Sequence, residues 1–130
     1  MLAECQKLEA TGYQVILIGD MNIAPARIDG HPSLRTSPVE HVKNRADFNS
    51  KFLGDRGWGV DVFRVLHGDA KKYTYHPRSR TWGESCDRVD LVVAGKSLMK
   101  QEAVVACDNE DSAKERGHSD HVPFWAEHQL

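Results

Sequence analysis

The chain is 130 residues long and 40% apolar, with 19 acidic against 17 basic side chains and a formal net charge of −2. That length holds one domain or part of one, and the charge balance excludes a global basic field for nucleic acid while leaving room for local basic stretches. The longest apolar runs, residues 15–18 and 103–107, are far too short to cross a membrane, and the polar start Met1-Leu2-Ala3-Glu4 does not open a secretory signal. Three cysteines, Cys5, Cys86 and Cys107, cannot all pair with one another and lack zinc-ligand spacing, so an intracellular location, nuclear or cytoplasmic, is expected.

In chain order, Leu2, Cys5 and Leu8 recur at helical spacing and Gly12 supplies a stop. Residues 13–18 form a β-rich apolar run that reads as a buried strand. A long loop follows over 20–38, broken by Pro25, Gly30, Pro32 and Pro38, and its length marks it as functional. Phe48, Phe52 and Leu53 make one face of a second helix that Gly54 ends. Residues 60–66 read as a short helix or a turn and strand. Further strands are expected over 73–76, 88–93, 103–107 and 122–128, with a charged loop over 108–117. The pattern predicts an α+β domain with one helix-covered sheet. Residues 15–18 and 91–93 are apolar in succession, so both faces of those strands need cover, and two helices are expected to cover only one.

Three motifs fall at the ends of these runs. In Gly19-Asp20-Met21-Asn22 the strand delivers Asp20 to its carboxyl end, and Asn22 would point the same way if the extended geometry continued. A carboxylate beside an amide can orient a water and hold a phosphate oxygen; the same residues also read as an Asx turn closing a strand. In Arg88-Val89-Asp90-Leu91, Arg88 and Asp90 share a strand face, either as a solvated ion pair or with Asp90 buttressing a histidine. In Ser119-Asp120-His121-Val122-Pro123, Ser119 and Pro123 favour a turn. There Asp120 could bind a metal and His121 a phosphoryl oxygen, or the turn is merely capped and the histidine exposed. Together, in this order, the motifs can hold a divalent metal beside a phosphate and aim a water at phosphorus.

The set GDMNIAP (19–25), DVFR (61–64), YTY (73–75), RVDLVVA (88–94) and SDHVPFWA (119–126) resembles the C-terminal half of the exonuclease III-type abasic-site endonucleases, in the endonuclease/exonuclease/phosphatase superfamily. The resemblance implies that residues 1–130 are part of a DNase I-like four-layer α/β/β/α sandwich, a domain of roughly 200–250 residues when complete. It implies metal-dependent phosphodiester hydrolysis on double-stranded DNA, at an abasic site or a 3′-end lesion, in base-excision repair with Mg²⁺ or Mn²⁺. By it, Asp20 positions the attacking water, Asn22 holds the scissile phosphate, Asp90 orients His121, and His121 stabilises the pentacovalent phosphate. Asp20, Asn22, Asp120 and His121 surround the metal positions. Tyr75, Trp82 and Arg88 are expected to contact substrate; Tyr75, Trp82 and Val89 could line a pocket for the base-free sugar, or Tyr75 and Trp82 could equally be ordinary sheet and loop packing.

Two departures follow. The family's N-terminal half, with its metal-binding glutamate, has no counterpart before Asp20: Glu4 and Glu9 lie on the polar side of the first predicted helix. The chain alone is therefore expected to be inactive and to need that half as a partner. Asp87 stands where an apolar wall is usual, which weakens abasic-site specificity. Other readings remain open at this stage: a retroelement endonuclease, a sphingomyelinase-like or inositol-phosphatase-like hydrolase, or a non-catalytic remnant serving as an interaction module.

Overall fold

A computed structural model describes residues 1–129. In chain order it contains α1 (Leu2–Ala10), β1 (Ile16–Asp20), a 3₁₀ turn (Arg27–Asp29), β2 (Gly30–His31) and α2 (Glu40–Phe48). A π-helical turn (Asn49–Leu53) extends α2, followed by β3 (Gly59–Asp61), α3 (Val62–His67), β4 (Cys86–Asp87) and β5 (Asp90–Gly95). The chain closes with α4 (Lys96–Lys100), β6 (Val104–Asn109), α5 (Ala113–Arg116) and β7 (Phe124–His128). Three antiparallel sheets form, β1-β5-β3, β2-β4 and β6-β7.

β5 is the centre of the molecule, with every residue buried. Its alternation divides the core. Leu91 and Val93 face Ile23, Phe48 and Phe52, with Leu2 of α1 packed alongside. Val92 and Ala94 face Val62, Phe63, Leu98, Val104 and Cys107, with Phe124 and Ala126 of β7 against them. Burying each Val, Leu or Phe side chain of these clusters contributes about 1.5–3 kcal/mol, so a strand covered on both sides anchors the fold. For β5 this corrects the expectation that one face lacks cover: α3, α4 and the β6-β7 pair supply it. β1, an edge strand, is less protected, and Ile18 remains 54% exposed.

Several predicted boundaries move for identifiable reasons. The first strand begins at Ile16, three residues late. Residues 73–76 form no strand, only bridges from Tyr75 to Asp87 and to His121. β5 starts at Asp90 because Arg88 N–H donates to the Asp29 carbonyl (2.8 Å) and Val89 N–H to Thr74 Oγ1 (3.1 Å). The 60–66 segment is β3 running into α3, with Asp61 capping the helix at the Arg64 N–H. The charged 108–117 loop holds the short α5, capped by Ser112 Oγ. The three cysteines are free and buried, and burial pushes the Cys86 and Cys107 thiols up to about 11. No helix among the described residues is long and apolar enough to cross a membrane.

Candidate active site

β1 ends where β5 begins. Asp20 and Asp90 are register partners in that ladder, so two carboxylates stand side by side at one end of the sheet. The chain then turns sharply. Asn22 adopts φ +54°, a left-handed conformation that asparagine tolerates better than most residues, and its N–H donates to Asp20 Oδ1 at 2.8 Å. The extended geometry therefore does not continue past Asp20. The Asx turn is present, and Asn22 still lines the same pocket as Asp20.

His121 arrives from the other end of the chain. Its N–H donates to Ser119 Oγ (3.0 Å), which sets the turn. Its ring Nδ1 lies 2.6 Å from Asp90 Oδ2, and Nε2 lies 3.8 Å from both Asp20 Oδ2 and Asp120 Oδ1. Asp90 is nearly buried whereas Asp20 and Asp120 are half exposed. A carboxylate at Nδ1 fixes the ring and aims Nε2 at the open side.

Thr74, 1% exposed, holds this arrangement from beneath. Its Oγ1 accepts from the Val89 and Asp90 N–H groups (3.1 Å each). Val122 N–H donates to the Thr74 carbonyl (2.9 Å), and His76 N–H to the Asp120 carbonyl (2.7 Å). Residues 74–76 thus tie the 120–122 turn to the start of β5. The YTY run contained this residue, but only the bridging geometry reveals its role.

A pocket of about 160 Å³ opens beside the cluster, lined by Asp20, Asn22, Ile23, Ala24, Arg35, His41, Arg45, Tyr75, Asp87, Val89 and His121. Tyr75 and Val89 line this pocket. Trp82 does not line it: its ring stacks on His76 at 3.7 Å, with Arg116 packed against it. Arg88 is also misplaced by the sequence reading. It is 1% exposed, with Nε donating to Asp29 Oδ1 (2.7 Å), Nη1 to Asp61 Oδ1 (3.0 Å), and Nη2 paired with Asp61 Oδ2. The assumed solvated strand face does not exist there, so Arg88 is structural and cannot touch substrate.

Arg35, Arg45 and His41 were missed altogether. They come from the long loop and α2, and no local pattern points them at the strand ends. Asp87 faces them from β4, with Arg35 Nη2 3.2 Å from its Oδ2. Burial pushes the Asp87 carboxyl up; Arg35, with Arg45 and His41 behind it, pulls it back.

One ligand atom each from Asp20, Asp90 and His121 lies within 4.8 Å of the others. Because Asp90 is engaged by His121, the donors left open are mainly the Asp20 and Asp120 carboxylates. One or two carboxylates with room for water and phosphate oxygens fit Mg²⁺ or Mn²⁺ better than a metal needing a closed protein cage.

No family model matches the chain. Solved structures do. The catalytic domain of Xenopus laevis APE2 superposes with a TM-score of 0.76 at 19% identity, over 98% of this chain and 40% of that one. The 3′ phosphatase NExo from Neisseria, solved with a product DNA hairpin, gives 0.67 at 23% identity over 99% and 51%. An AP endonuclease from Archaeoglobus fulgidus gives 0.64 at 23% identity over 99% and 53%. The chain thus spans 40–53% of the length of these structures, and over that extent it has the mixed helix-and-strand fold of the DNase I-like AP endonucleases.

Proposed function

We propose that the chain carries the phosphate-handling part of a metal-dependent phosphodiesterase site that acts on DNA, at an abasic site or a blocked 3′ end. The observation that carries this reading is the His121–Asp90 pair at 2.6 Å, set beside Asp20 and Asn22 at the mouth of a pocket with basic groups. Fold likeness to proteins described as AP endonucleases and a 3′ phosphatase supports the same reading.

In this reading Asp20 accepts a hydrogen bond from the attacking water and Asn22 donates its amide to a phosphate oxygen. Asp90 fixes the imidazole, and His121 donates from Nε2 to an oxygen that gains charge at the pentacovalent stage. Fixed donors aimed at developing charge are worth most where water is excluded. Asp20 and Asp120 would hold Mg²⁺ or Mn²⁺, which when bound neutralises phosphate charge. The chain corresponds to the C-terminal half of such a domain, and full activity needs a companion segment that adds metal-binding carboxylate.

The test is cleavage of labelled duplexes carrying an abasic-site analogue or a 3′-phosphate, with Mg²⁺, Mn²⁺ or EDTA. The protein is used in the longest reading frame that contains this chain. Metal-dependent incision lost in His121→Ala is expected. Incision that survives EDTA, or near-normal turnover of His121→Ala, would remove the reading.

A further inference from the structure

The turn that leads into His121 has no core of its own. Gly117, His118, Ser119 and Asp120 are all exposed, so hydrogen bonds, and not buried side chains, place them. His76 N–H donates to the Asp120 carbonyl (2.7 Å), and Arg78 Nη1 to the Gly117 carbonyl (2.6 Å). In the other direction Arg116 Nη1 donates to the His76 carbonyl (3.0 Å). Arg116 and Asp120 thus engage the two polar main-chain groups of one residue, His76, and the turn between them closes on it. The Asp120 carbonyl belongs to the same peptide group as the His121 N–H, which is held by Ser119 Oγ (3.0 Å). With both of its polar atoms engaged, that peptide sets the direction in which the His121 ring leaves the main chain.

His76 is itself held from outside the site. It is 3% exposed, and the Trp82 ring lies 3.7 Å from its ring at an interplanar angle of 13°. Arg116 Cζ lies 5.4 Å from the centre of the Trp82 ring. One arginine therefore packs on the indole and bonds the His76 carbonyl. Neither Trp82 nor Arg116 lines the pocket beside His121. Two buried polar atoms of this group, His76 Nδ1 and Arg116 Nε, have no partner. Unpaired buried polar atoms cost stability, and an apolar wedge would avoid that cost. Such a wedge would lack the donor that Arg116 brings to the His76 carbonyl, so the residue types fit holding His76 in register better than they fit packing alone.

We propose that Trp82 and Arg116 are positioning residues for His121: by holding His76 they fix the Asp120–His121 peptide and keep the imidazole in line with Asp90, from a place where they touch no substrate. The consequence for turnover rests on the phosphodiesterase reading above, whereas the consequence for the His121–Asp90 contact does not. A group that stabilises developing charge needs its own support to stay in the productive geometry.

The test uses the longest reading frame that contains this chain. Proton NMR reads the hydrogen between His121 Nδ1 and Asp90 Oδ2, whose resonance moves upfield as that bond lengthens and is assigned by its loss in His121→Gln. Turnover of a duplex with an abasic-site analogue gives kcat and KM. Trp82→Ala should move the resonance upfield and lower kcat about tenfold, within the roughly 10²-fold that a misplacement of about 1 Å can cost. KM should stay within about twofold, because substrate contacts are untouched. Trp82→Phe keeps a ring against His76 and should restore both readouts. Arg116→Met keeps an aliphatic stem over Trp82 and removes the donor to the His76 carbonyl; it should move both readouts the same way, and it guards against misfolding of Trp82→Ala. A resonance unmoved in the folded Trp82→Ala and Arg116→Met proteins, or no recovery in Trp82→Phe, overturns the proposal. A resonance that moves as expected in a protein with no turnover even before substitution upholds the positioning and overturns the reaction reading.

Discussion

Arg88 and Asp90 are two residues apart, and their surroundings differ in kind. Arg88 sits in a closed ionic network: Asp29 and Asp61 accept from its guanidinium, Arg64 Nη2 lies 2.5 Å from Asp29 Oδ1, and Phe63 packs beneath it. Asp90 opens onto a network left incomplete on one side: it holds His121, but His121 Nε2, Asp20 and Asp120 face outward at separations of 3.8 Å. In the first network the charges pair with one another, and its centre, Arg88 with Asp29, is 1% exposed. The second has the same chemistry with donors and acceptors still open, which is what binding a phosphate requires. Full pairing of buried charge marks structure, and partial pairing at a pocket mouth marks a site.

The largest break comes from the closed network. Arg88→Met removes a cation and leaves Asp29 and Asp61 facing each other in the interior. Losing one partner of a buried pair costs about 3–5 kcal/mol, a large share of a domain's stability of roughly 5–15 kcal/mol. Urea unfolding followed by circular dichroism should show the midpoint collapse. A variant as stable as the parent would mean the network is loosely solvated and the contrast is false.

The open network should respond in the opposite way. Asp20→Asn alters a half-exposed group, so folding should be little changed, whereas His121→Ala leaves the nearly buried Asp90 carboxylate without its ring partner and should lose some stability, less than Arg88→Met. Turnover in the longest reading frame should fall by on the order of 10²–10³, the usual cost of one electrostatic donor. If both variants unfold as readily as Arg88→Met, the two networks are alike and the functional assignment loses its footing.

That contrast was only half visible in the sequence. Asp20, Asn22, Asp90 and His121 could be read because each adjoins an apolar run whose strand character carries it to a sheet end. The same alternation rule misplaced Arg88, since it assumes that a strand has one wet face; the strand that follows is buried on both, and Arg88 itself is drawn to Asp29. Trp82 looked like a pocket wall by its aromatic nature, yet it stacks on His76. Arg35 and Arg45 were out of reach, because the loop and helix that carry them are placed by packing of Phe48 and Phe52, not by any local pattern. α5 was an avoidable miss: Ser112 and Glu115 have capping-box spacing, and the Ser112 half of that cap forms.

Thr74 sharpens the comparison, because it links the buried interior to the open site. Thr74→Val keeps the shape and removes an acceptor that serves two buried N–H groups. Leaving such donors unpaired costs about 1–3 kcal/mol. Asp90 should then shift under His121, so turnover should fall more than the stability loss alone accounts for. Thr74→Ser restores the oxygen and should restore the rate. Equal rates for the Ser and Val variants would confine Thr74 to packing.

The smallest effect expected is a pH dependence at the rim. His76 is buried against Trp82, its Nε2 is 3.2 Å from the Tyr73 carbonyl, and its Nδ1 has no partner. Burial lowers its pKa from the ordinary 6.5; the Tyr73 carbonyl and Asp111 oppose this shift, and Arg116 adds to it. In the unfolded chain the ring binds its proton near 6.5, whereas in the folded protein it resists until lower pH. The sign follows: the stabilisation is present above pH 6.5 and is lost as pH falls through the depressed folded value. His76→Phe can keep the stack and cannot titrate. Urea midpoints of the two proteins should therefore run parallel above pH 7, and below 6.5 the parent's should fall while this part of the pH dependence is missing from the variant. Curves parallel across the whole range would show that His76 is protonated as easily folded as unfolded, and that the rim is as open to water as the His121 site.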